Sequence, residues 1–203
     1  MSQFMITETS IPGLLTIRPR PIADERGWFM RSFSATEYAA AGIDQATLVQ
    51  ENHSRSRRGV LRGLHTRAEL REAKLIRAAR GEIFDVVVDL RPGSPTFLQW
   101  RSFILDDAAH LQLRIPAGCA HGFQALSDFA DVCYKVDAAY DPALDVTIAW
   151  DDPELAIEWP LREPVLSDRD RLAPPLSAVR EHLGEWFGTS NVGTSKVGTS
   201  HAC

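Results

Sequence analysis

The middle of the chain is a succession of short apolar runs, separated from one another by turn residues. The predicted strands cover residues 59–65, 74–79, 82–90, 96–105, 110–115, 119–126, 130–137 and 146–150. The clearest turns between them are Arg91-Pro-Gly-Ser-Pro95 and Pro116-Ala-Gly118. Many short strands at close, regular spacing are typical of an antiparallel sandwich or barrel. We therefore expect an all-β fold with only a few short helices.

The segments around this strand region have weaker patterns. Short extended pieces are predicted over residues 1–33, for example at 13–18 and 27–33, and again at 46–53. A capping box, Ser34 with Glu37, predicts a short helix over residues 35–41 that Gly42 ends. Residues 138–176 are punctuated by proline, and a second helix is predicted over 178–187. The sequence Gly-Thr-Ser then occurs three times, so we expect one domain over residues 1–187 and a low-complexity, disordered tail over 188–203.

Composition narrows the class of protein. The formal net charge of −5 argues against a nucleic-acid-binding surface, although basic residues crowd the segment from Arg55 to Arg80, where an anionic small molecule would fit. No apolar run reaches membrane-spanning length, and the N-terminus lacks the pattern of a signal peptide. Three cysteines provide no disulfide framework. We expect a cytoplasmic protein with no nucleic-acid or membrane partner.

The stretch from Gly59 to His65 combines a strand pattern with groups suited to chemistry. Strict alternation would place Leu61, Gly63 and His65 on one face of a strand, opposite Val60, Arg62 and Leu64. Gly63 would let a ligand or a second backbone approach closely. His65 is able to transfer a proton near neutral pH. The same pattern also fits a core strand that ends in a buried histidine.

A second histidine follows a tight turn, in Pro116-Ala-Gly-Cys-Ala-His121-Gly-Phe. Two histidines in one barrel raise the alternative of a metal site, but the chain has no HxH pair, and two histidines alone do not complete a four-ligand site. It also has no GxGxxG after a predicted strand. We therefore expect neither a metal nor a nicotinamide cofactor.

Four further residues are individually ambiguous. Lys74 opens a strand and would usually be exposed; if it points inward it needs a carboxylate, for which Asp85 is a candidate. Tyr134 lies in an apolar strand and would fit a core tyrosine with a satisfied hydroxyl. Asp170 lies in a stretch that is typical of a turn or a helix cap. None of these residues identifies a function by itself.

A longer series of motifs occurs along the chain in this order: Gln50-Glu-Asn52, Ser54-x-Ser56, Gly59-Val-Leu-Arg-Gly-Leu-His65, Lys74, Gly81-Glu-Ile-Phe-Asp-Val-Val-Val-Asp-Leu-Arg91, Ser94-Pro-Thr-Phe97, Ile115-Pro-x-Gly-x-Ala-His-Gly-Phe123, Tyr134-Lys135, Tyr140, Trp159-Pro160 and Leu166-Ser-x-x-Asp170. Taken together, these motifs resemble those of the dTDP-4-dehydrorhamnose 3,5-epimerase family of cupin enzymes, over about residues 11–176. The resemblance implies a cupin-type antiparallel jelly-roll barrel.

The resemblance also implies a reaction. It is the epimerisation of dTDP-4-keto-6-deoxy-D-glucose at C3, with C5 left open, and it uses no cofactor. His65 would be the base, Asp170 would orient its imidazole, Tyr134 would be the acid and Lys74 would stabilise the enolate. The implied substrate-binding residues are Arg26, Phe29, Arg31, Gln50, Asn52, Arg62, His121, Tyr140, Asp145 and Arg169. A homodimer with exchanged N-terminal strands is implied as well, in which Arg26 and Phe29 help to complete the neighbour's nucleotide site.

Some positions depart from the family pattern, and they leave alternatives open. Thr66-Arg67 follow the proposed base where an aromatic residue and Gln are usual, and Arg31, Asp145 and Arg169 replace the usual Glu, Glu and Lys. Some family members epimerise C3 only, so a C3-only epimerase of a specialised deoxysugar pathway is the first alternative. A metal-dependent cupin and a non-catalytic sugar-nucleotide-binding protein are the alternatives from other classes.

Overall fold

The computed structural model describes residues 2–44 and 47–188 of the chain. Its strands are β1 (Phe4–Glu8), β2 (Leu15–Pro19), β3 (Ile22–Asp24), β4 (Gly27–Phe29), β5 (Gln50–Arg57), β6 (Leu61–Arg67), β7 (Lys74–Arg80), β8 (Glu82–Asp89), β9 (Trp100–Asp106), β10 (Gln112–Ile115), β11 (Cys119–Ala125), β12 (Phe129–Val136) and β13 (Asp145–Thr147). Its helices are α1 (Ala35–Ala39), α2 (Asp168–Arg171), α3 (Leu176–Arg180) and α4 (Leu183–Phe187).

The strands form two large sheets and one hairpin. One sheet has six strands in the order β1-β2-β10-β7-β12-β5, and the other has five in the order β13-β6-β11-β8-β9. Strands β3 and β4 pair only with each other in the described structure. All neighbouring strands in these sheets run antiparallel. The predicted all-β, antiparallel fold with few short helices is therefore confirmed.

The main core lies between the two large sheets. Ile76 and Val132 from the six-stranded sheet and Val87 and Leu105 from the five-stranded sheet belong to one buried cluster. Successive residues of a strand point to opposite faces of the sheet. Val86 and every second residue from it therefore pack on the outer side of the five-stranded sheet. Residues 82–90 thus alternate between the two faces of the sheet, and Asp85 lies on the inner face, where it contacts His121.

Short helices and loops cover the outer faces of both sheets. Leu176 and Leu183, from α3 and α4, pack on the five-stranded sheet with Trp159. Tyr38 of α1 is fully buried against Phe4 of β1 on the six-stranded sheet. Among the described residues, no helix is long and apolar enough to cross a membrane.

Some of the predicted helices and strands differ from those in the structure. Strands β1 to β4 fall within residues 1–33, where short extended pieces were predicted, but the helix expected over residues 178–187 is two short helices with an interruption at Glu181 and His182. Both helices still bury their apolar residues in one cluster, which explains why the pattern resembled a single helix. In the predicted capping box, Ser34 accepts from the Glu37 amide, but the Glu37 carboxylate bonds Ser2 and Gln3 instead. Apart from Gly188, the predicted tail lies outside the described residues.

Candidate active site

Strand β6 carries a bulge that sets the direction of its functional side chains. Against β11, His65 lies opposite His121 and Arg62 lies opposite Phe123, so three steps on β6 face two steps on β11. Arg62 and His65 therefore both line the cavity, whereas Leu61 and Leu64 pack in the outer cluster. The predicted grouping of Leu61 and Gly63 with His65 was wrong, because the extra residue shifts the alternation.

Gly63 is the residue that permits this bulge. It has a φ of +128°, and a Cβ at this position would lie 2.5 Å from the Cα of Gly122 on β11. A side chain here would collide with the neighbouring backbone, and the conformation also favours glycine. The close approach anticipated from the sequence is therefore that of a second backbone.

His65 contacts a carboxylate from a distant part of the chain. Its Nε2 lies 2.6 Å from Oδ1 of Asp170, which is buried in α2. Asp170 Oδ2 accepts from the hydroxyl of Ser167, the N-cap residue of α2. Burial acts to raise the pKa of Asp170, but the hydrogen bonds with His65 and Ser167 outweigh it and lower the pKa. The result is an ionised carboxylate that fixes the imidazole ring at the cavity wall.

His121 contacts Asp85, the carboxylate that was the candidate partner of Lys74. His121 Nε2 lies 2.7 Å from Oδ2 of Asp85, and the Asp85 side chain is fully buried. Burial raises the pKa of Asp85, opposed first by the charge and hydrogen bond of His121 and then by Lys74. The expectation that Asp85 is the direct partner of Lys74 was therefore wrong.

Lys74 is buried and its ammonium group contacts Glu72. The distance from Lys74 Nζ to Glu72 Oε2 is 3.1 Å, and the side chains are 10% and 16% exposed. Glu72 lies in the loop before β7, where Lys74 is the first residue. The ion pair explains how a lysine is accommodated inside the barrel, where an unpaired cation would be costly.

Tyr134 reaches the same cavity from the six-stranded sheet. On β12 it lies opposite Asn52 of β5 and Ile76 of β7. Burial raises the pKa of the Tyr134 phenol, and the negative charges of Glu72 and Asp145 raise it further, against the opposing effect of Arg62. The phenol is consequently protonated at neutral pH and available as a proton donor.

Together these side chains line a cavity of about 260 Å³. It is bordered by Gln50, Asn52, Ser54, Arg62, His65, Thr66, Glu72, Lys74, His121, Phe123, Tyr134, Val136, Ala138, Tyr140, Asp145 and Arg169. Most of the sequence-predicted site residues are in this set. Asp170 stands behind His65, in contact with its ring.

One end of the cavity is lined by side-chain amides and an exposed aromatic ring. Gln50 Nε2 donates to Asn52 Oδ1 at 2.9 Å, and the backbone amide of Tyr140 donates to Gln50 Oε1 at 3.3 Å. Tyr140 is 64% exposed. Elsewhere on the wall, Arg169 donates to Asp145 at 2.9 Å. Amides supply both donors and acceptors, and an exposed ring offers a stacking face.

Three of the predicted substrate-binding residues lie outside this cavity. Arg26 pairs with Asp24 within the β3–β4 hairpin, and Phe29 of the same hairpin is 73% exposed. The guanidinium of Arg31 is 3.8 Å from Glu37. None of the three borders the cavity of its own chain.

The two unusual residues after His65 have different surroundings. Thr66 is buried and borders the cavity. Arg67 points elsewhere, and its Nη1 donates to the carbonyl of Ala139, next to Tyr140. The sequence patterns did not indicate Glu72 as a site residue, although it lies only two positions before Lys74 in the chain.

Within residues 2–44 and 47–188, no group of three or more histidine, cysteine, aspartate or glutamate side chains has an arrangement suited to a metal ion. Each of the two cavity histidines instead directs Nε2 at a single carboxylate.

Comparisons with known proteins agree with this arrangement. Residues 8–178 match the family model of dTDP-4-dehydrorhamnose 3,5-epimerase. The chain is 46% identical over 166 residues to a dTDP-4-dehydrorhamnose 3,5-epimerase from Pseudomonas aeruginosa, an alignment that covers 81% of this chain and 92% of the relative.

Solved structures show the same likeness. A dTDP-6-deoxy-D-glucose-3,5-epimerase from Legionella pneumophila, in complex with dTDP-4-keto-L-rhamnose, matches with a TM-score of 0.84 and 44% identity, covering 89% of this chain and 96% of that one. ChmJ, a 3'-monoepimerase from Streptomyces bikiniensis in complex with dTDP-quinovose, matches with a TM-score of 0.80 and 37% identity, covering 87% and 89%. The chain thus has a cupin-type jelly roll and belongs to the dTDP-4-dehydrorhamnose 3,5-epimerase family of isomerases.

Proposed function

We propose that this protein is an epimerase of dTDP-4-keto-6-deoxy-D-glucose, which it inverts at C3 and at C5. The observation that carries the proposal is the oriented His65–Asp170 pair, which shares one cavity with a half-buried, protonated Tyr134. The 4-keto group of such a sugar acidifies the C–H bonds on both neighbouring carbons. A base and an acid in one cavity are the groups that this chemistry requires.

The proposed reaction begins with proton abstraction by His65. The C–H bond next to the keto group breaks, its electron pair moves to the keto oxygen, and the imidazole holds the proton. Asp170, at 2.6 Å from His65, keeps the ring in place during this step. Tyr134 then donates its phenolic proton to the carbon from the other side while the keto group re-forms, which inverts the configuration. Exchange with solvent afterwards takes the proton from His65 and returns one to Tyr134.

Lys74 is proposed to stabilise the enolate between the two proton transfers. Its ammonium lies at the wall of the cavity, and a buried cation aimed at developing negative charge lowers the barrier more than it would in water. We further propose that Arg62 and His121 contact the substrate. Both border the cavity, and both are held by neighbours: Arg62 donates to Ser56 and His121 contacts Asp85.

The nucleotide is proposed to occupy the end of the cavity with the amides and the exposed ring. Gln50 and Asn52 offer donors and acceptors for the polar edge of thymine, while Tyr140 offers a face for stacking. Asp145 and Arg169 border the same cavity and would contact the substrate as a linked pair.

We propose that the protein works as a homodimer in which N-terminal strands are exchanged between subunits. In support, the β3–β4 hairpin pairs with no other described strand and exposes Ile22, Trp28 and Phe29 by 65%, 56% and 73%. In a dimer this hairpin would place Arg26 and Phe29, with Arg31 close behind, at the neighbour's nucleotide site. Light scattering at assay concentration tests the idea, and a fully active monomer would refute it.

No metal or nicotinamide is proposed to participate, because the keto group of the substrate already supplies the acidity that the reaction needs. Incubation with a chelator is expected to leave the rate unchanged. We place the epimerase in a single domain of residues 1–187, in support of which the family match spans residues 8–178. A cytoplasmic location is also proposed, in keeping with two free cysteines, Cys119 and Cys133.

A C3-only epimerase is the second candidate, and one observation favours it. Thr66 borders the cavity next to the base, at a position where the family pattern usually has an aromatic residue. Product analysis separates the two. Inversion at both carbons yields dTDP-4-keto-L-rhamnose, whereas inversion at C3 alone yields a product that keeps the D configuration at C5. An unchanged substrate would refute both candidates.

A further inference from the structure

Glu72 occupies an unusual place at the cavity wall. It lies in the loop between β6 and β7 with a φ of +73°, a conformation that residues other than glycine seldom adopt. Its side chain is 16% exposed and borders the cavity, and its Oε2 is 3.1 Å from the ammonium of Lys74. Strained backbone of this kind is concentrated at functional sites.

Two groups of the proposed reaction lie within the influence of Glu72. Lys74 contacts it directly, and Tyr134 borders the same cavity as Glu72. Burial is the main cause of the raised pKa of Tyr134, and the Glu72 carboxylate adds to it, while Asp145 acts in the same direction and Arg62 opposes both. The other charged or titratable groups around Tyr134 are His65, Lys74, His121, Tyr140 and Arg169 in the main cavity, and Glu51, Arg77, Cys133 and Lys135 in a neighbouring one.

We propose that Glu72 is a positioning residue for the epimerisation, which holds the Lys74 ammonium at the wall of the cavity and sets a negative charge in the cavity that Tyr134 also borders. This inference rests on the proposed function, in which Lys74 stabilises the enolate and Tyr134 is the acid. An ammonium group has three N–H donors. Lys74 can therefore stay bonded to Glu72 while it donates to the keto oxygen as negative charge develops.

The test is the variant Glu72→Gln, which removes the charge and nearly preserves the shape. Loss of the charge is expected to shift the basic limb of the kcat/KM profile to lower pH, because Tyr134 then loses its proton more easily. Loss of the ion pair is expected to lower kcat about 10- to 100-fold through misplacement of Lys74, with a smaller change in KM. Glu72→Asp keeps the carboxylate and is expected to restore the basic limb.

Glu69→Gln is the matched control. Glu69 lies in the same loop, outside the main cavity, with its side chain 43% exposed. Its pH profile and kcat are expected to equal those of the wild type. Equal profiles for Glu72→Gln and the wild type would overturn the inference.

A second measurement does not depend on activity. The chain has three tyrosines, so ultraviolet absorbance during a pH titration, with Tyr134→Phe subtracted, reports the ionisation of Tyr134. In Glu72→Gln this ionisation is expected at lower pH, and an unchanged midpoint would overturn the inference. Should Glu72→Gln not fold, Glu72→Asn gives the same readout, since Asn tolerates the left-handed conformation. If the wild type exchanges no C–H hydrogen, the proposed function fails, whereas an unchanged titration in an active enzyme refutes only the role of Glu72.

Discussion

His65 and Tyr134 border the same cavity from two different sheets, His65 on β6 of the five-stranded sheet and Tyr134 on β12 of the six-stranded sheet. The arrangement matters because a single group that removes and returns a proton on one face restores the starting configuration. Inversion requires either two groups or a rotated intermediate. A cavity bordered by both sheets supplies two groups, and their separate roles lead to distinct expectations for each substitution.

Replacement of the proposed base should stop the reaction at its first step. In His65→Ala we expect both C–H exchange and product formation to fall by at least about 10²–10⁴-fold, the usual contribution of a general base. NMR of the keto sugar in D2O measures both quantities. His182→Ala, which removes a half-exposed histidine at the start of α4, is the control and should behave as the wild type. Exchange at the wild-type rate in His65→Ala would contradict the assignment.

Loss of the proposed acid should separate exchange from inversion. In Tyr134→Phe, His65 remains able to remove the proton and give it back. We therefore expect deuterium to enter the substrate with little loss of rate, while inversion falls by about 10²–10⁴-fold. The two rates come from one NMR time course. Inversion of C3 at the wild-type rate would exclude Tyr134 as the acid.

Asp170 should act through His65 and not through the substrate. Asp170→Asn keeps the side-chain shape but removes the charge that contacts the imidazole at 2.6 Å. We expect kcat to fall on the order of 10²-fold through loss of ring orientation, with KM little changed. Asp168→Asn, an exposed position of the same helix, is the matched control. A loss confined to KM would indicate that Asp170 binds substrate instead.

Stability should depend on a buried carboxylate remote from the chemistry. Asp89 is fully buried and accepts hydrogen bonds from Arg91, Ser94 and Thr96. Burial acts to raise the pKa of Asp89, yet these bonds prevail and hold it below its usual value. Breaking such a pair typically costs about 3–5 kcal/mol, so Asp89→Asn should lower the free energy of unfolding by about that amount at pH 7.

The pH dependence of this difference follows from the depressed pKa. The stabilising contribution of Asp89 is fully present above its unfolded-state pKa of about 3.9 and is lost as pH falls through the lower folded-state value. Denaturant titrations should therefore show the gap between wild type and Asp89→Asn narrowing in acid. The exposed Asp151→Asn serves as control. Equal free energies of unfolding for wild type and Asp89→Asn at pH 7 would mean that the hydrogen bonds to Asp89 contribute little to stability.

The sequence allowed the fold class to be predicted because the strand pattern is local. Residues 82–90 point alternately to the two faces of the sheet. Val87 lies in the core between the sheets, and Val86 and Val88 lie on the outer face. The same rule failed for β6, where a bulge at Gly63 turns Arg62 and His65 to one side. Alternation assumes an unbroken ladder, and nothing in the spacing of Gly59 to His65 reveals that one residue is extra.

Contacts between segments that are distant in sequence could not be predicted from the local pattern of residues. His65 and Asp170 are 105 positions apart, and only the family resemblance suggested that they meet. The partner of Lys74 was misjudged, because the choice between Glu72 and Asp85 depends on how the β6–β7 loop turns and on the position of His121. Local backbone geometry and the order of strands decide such pairs.

The most direct test of the account is NMR of dTDP-4-keto-6-deoxy-D-glucose incubated with the enzyme in D2O. If His65 removes a proton on each side of the keto group, deuterium appears at C3 and at C5, and the product is dTDP-4-keto-L-rhamnose. Deuterium at C3 alone would support the C3-only candidate and make Thr66 the first position to examine. A substrate that binds but gains no deuterium at either carbon would contradict the assignment of this cavity as an epimerase site.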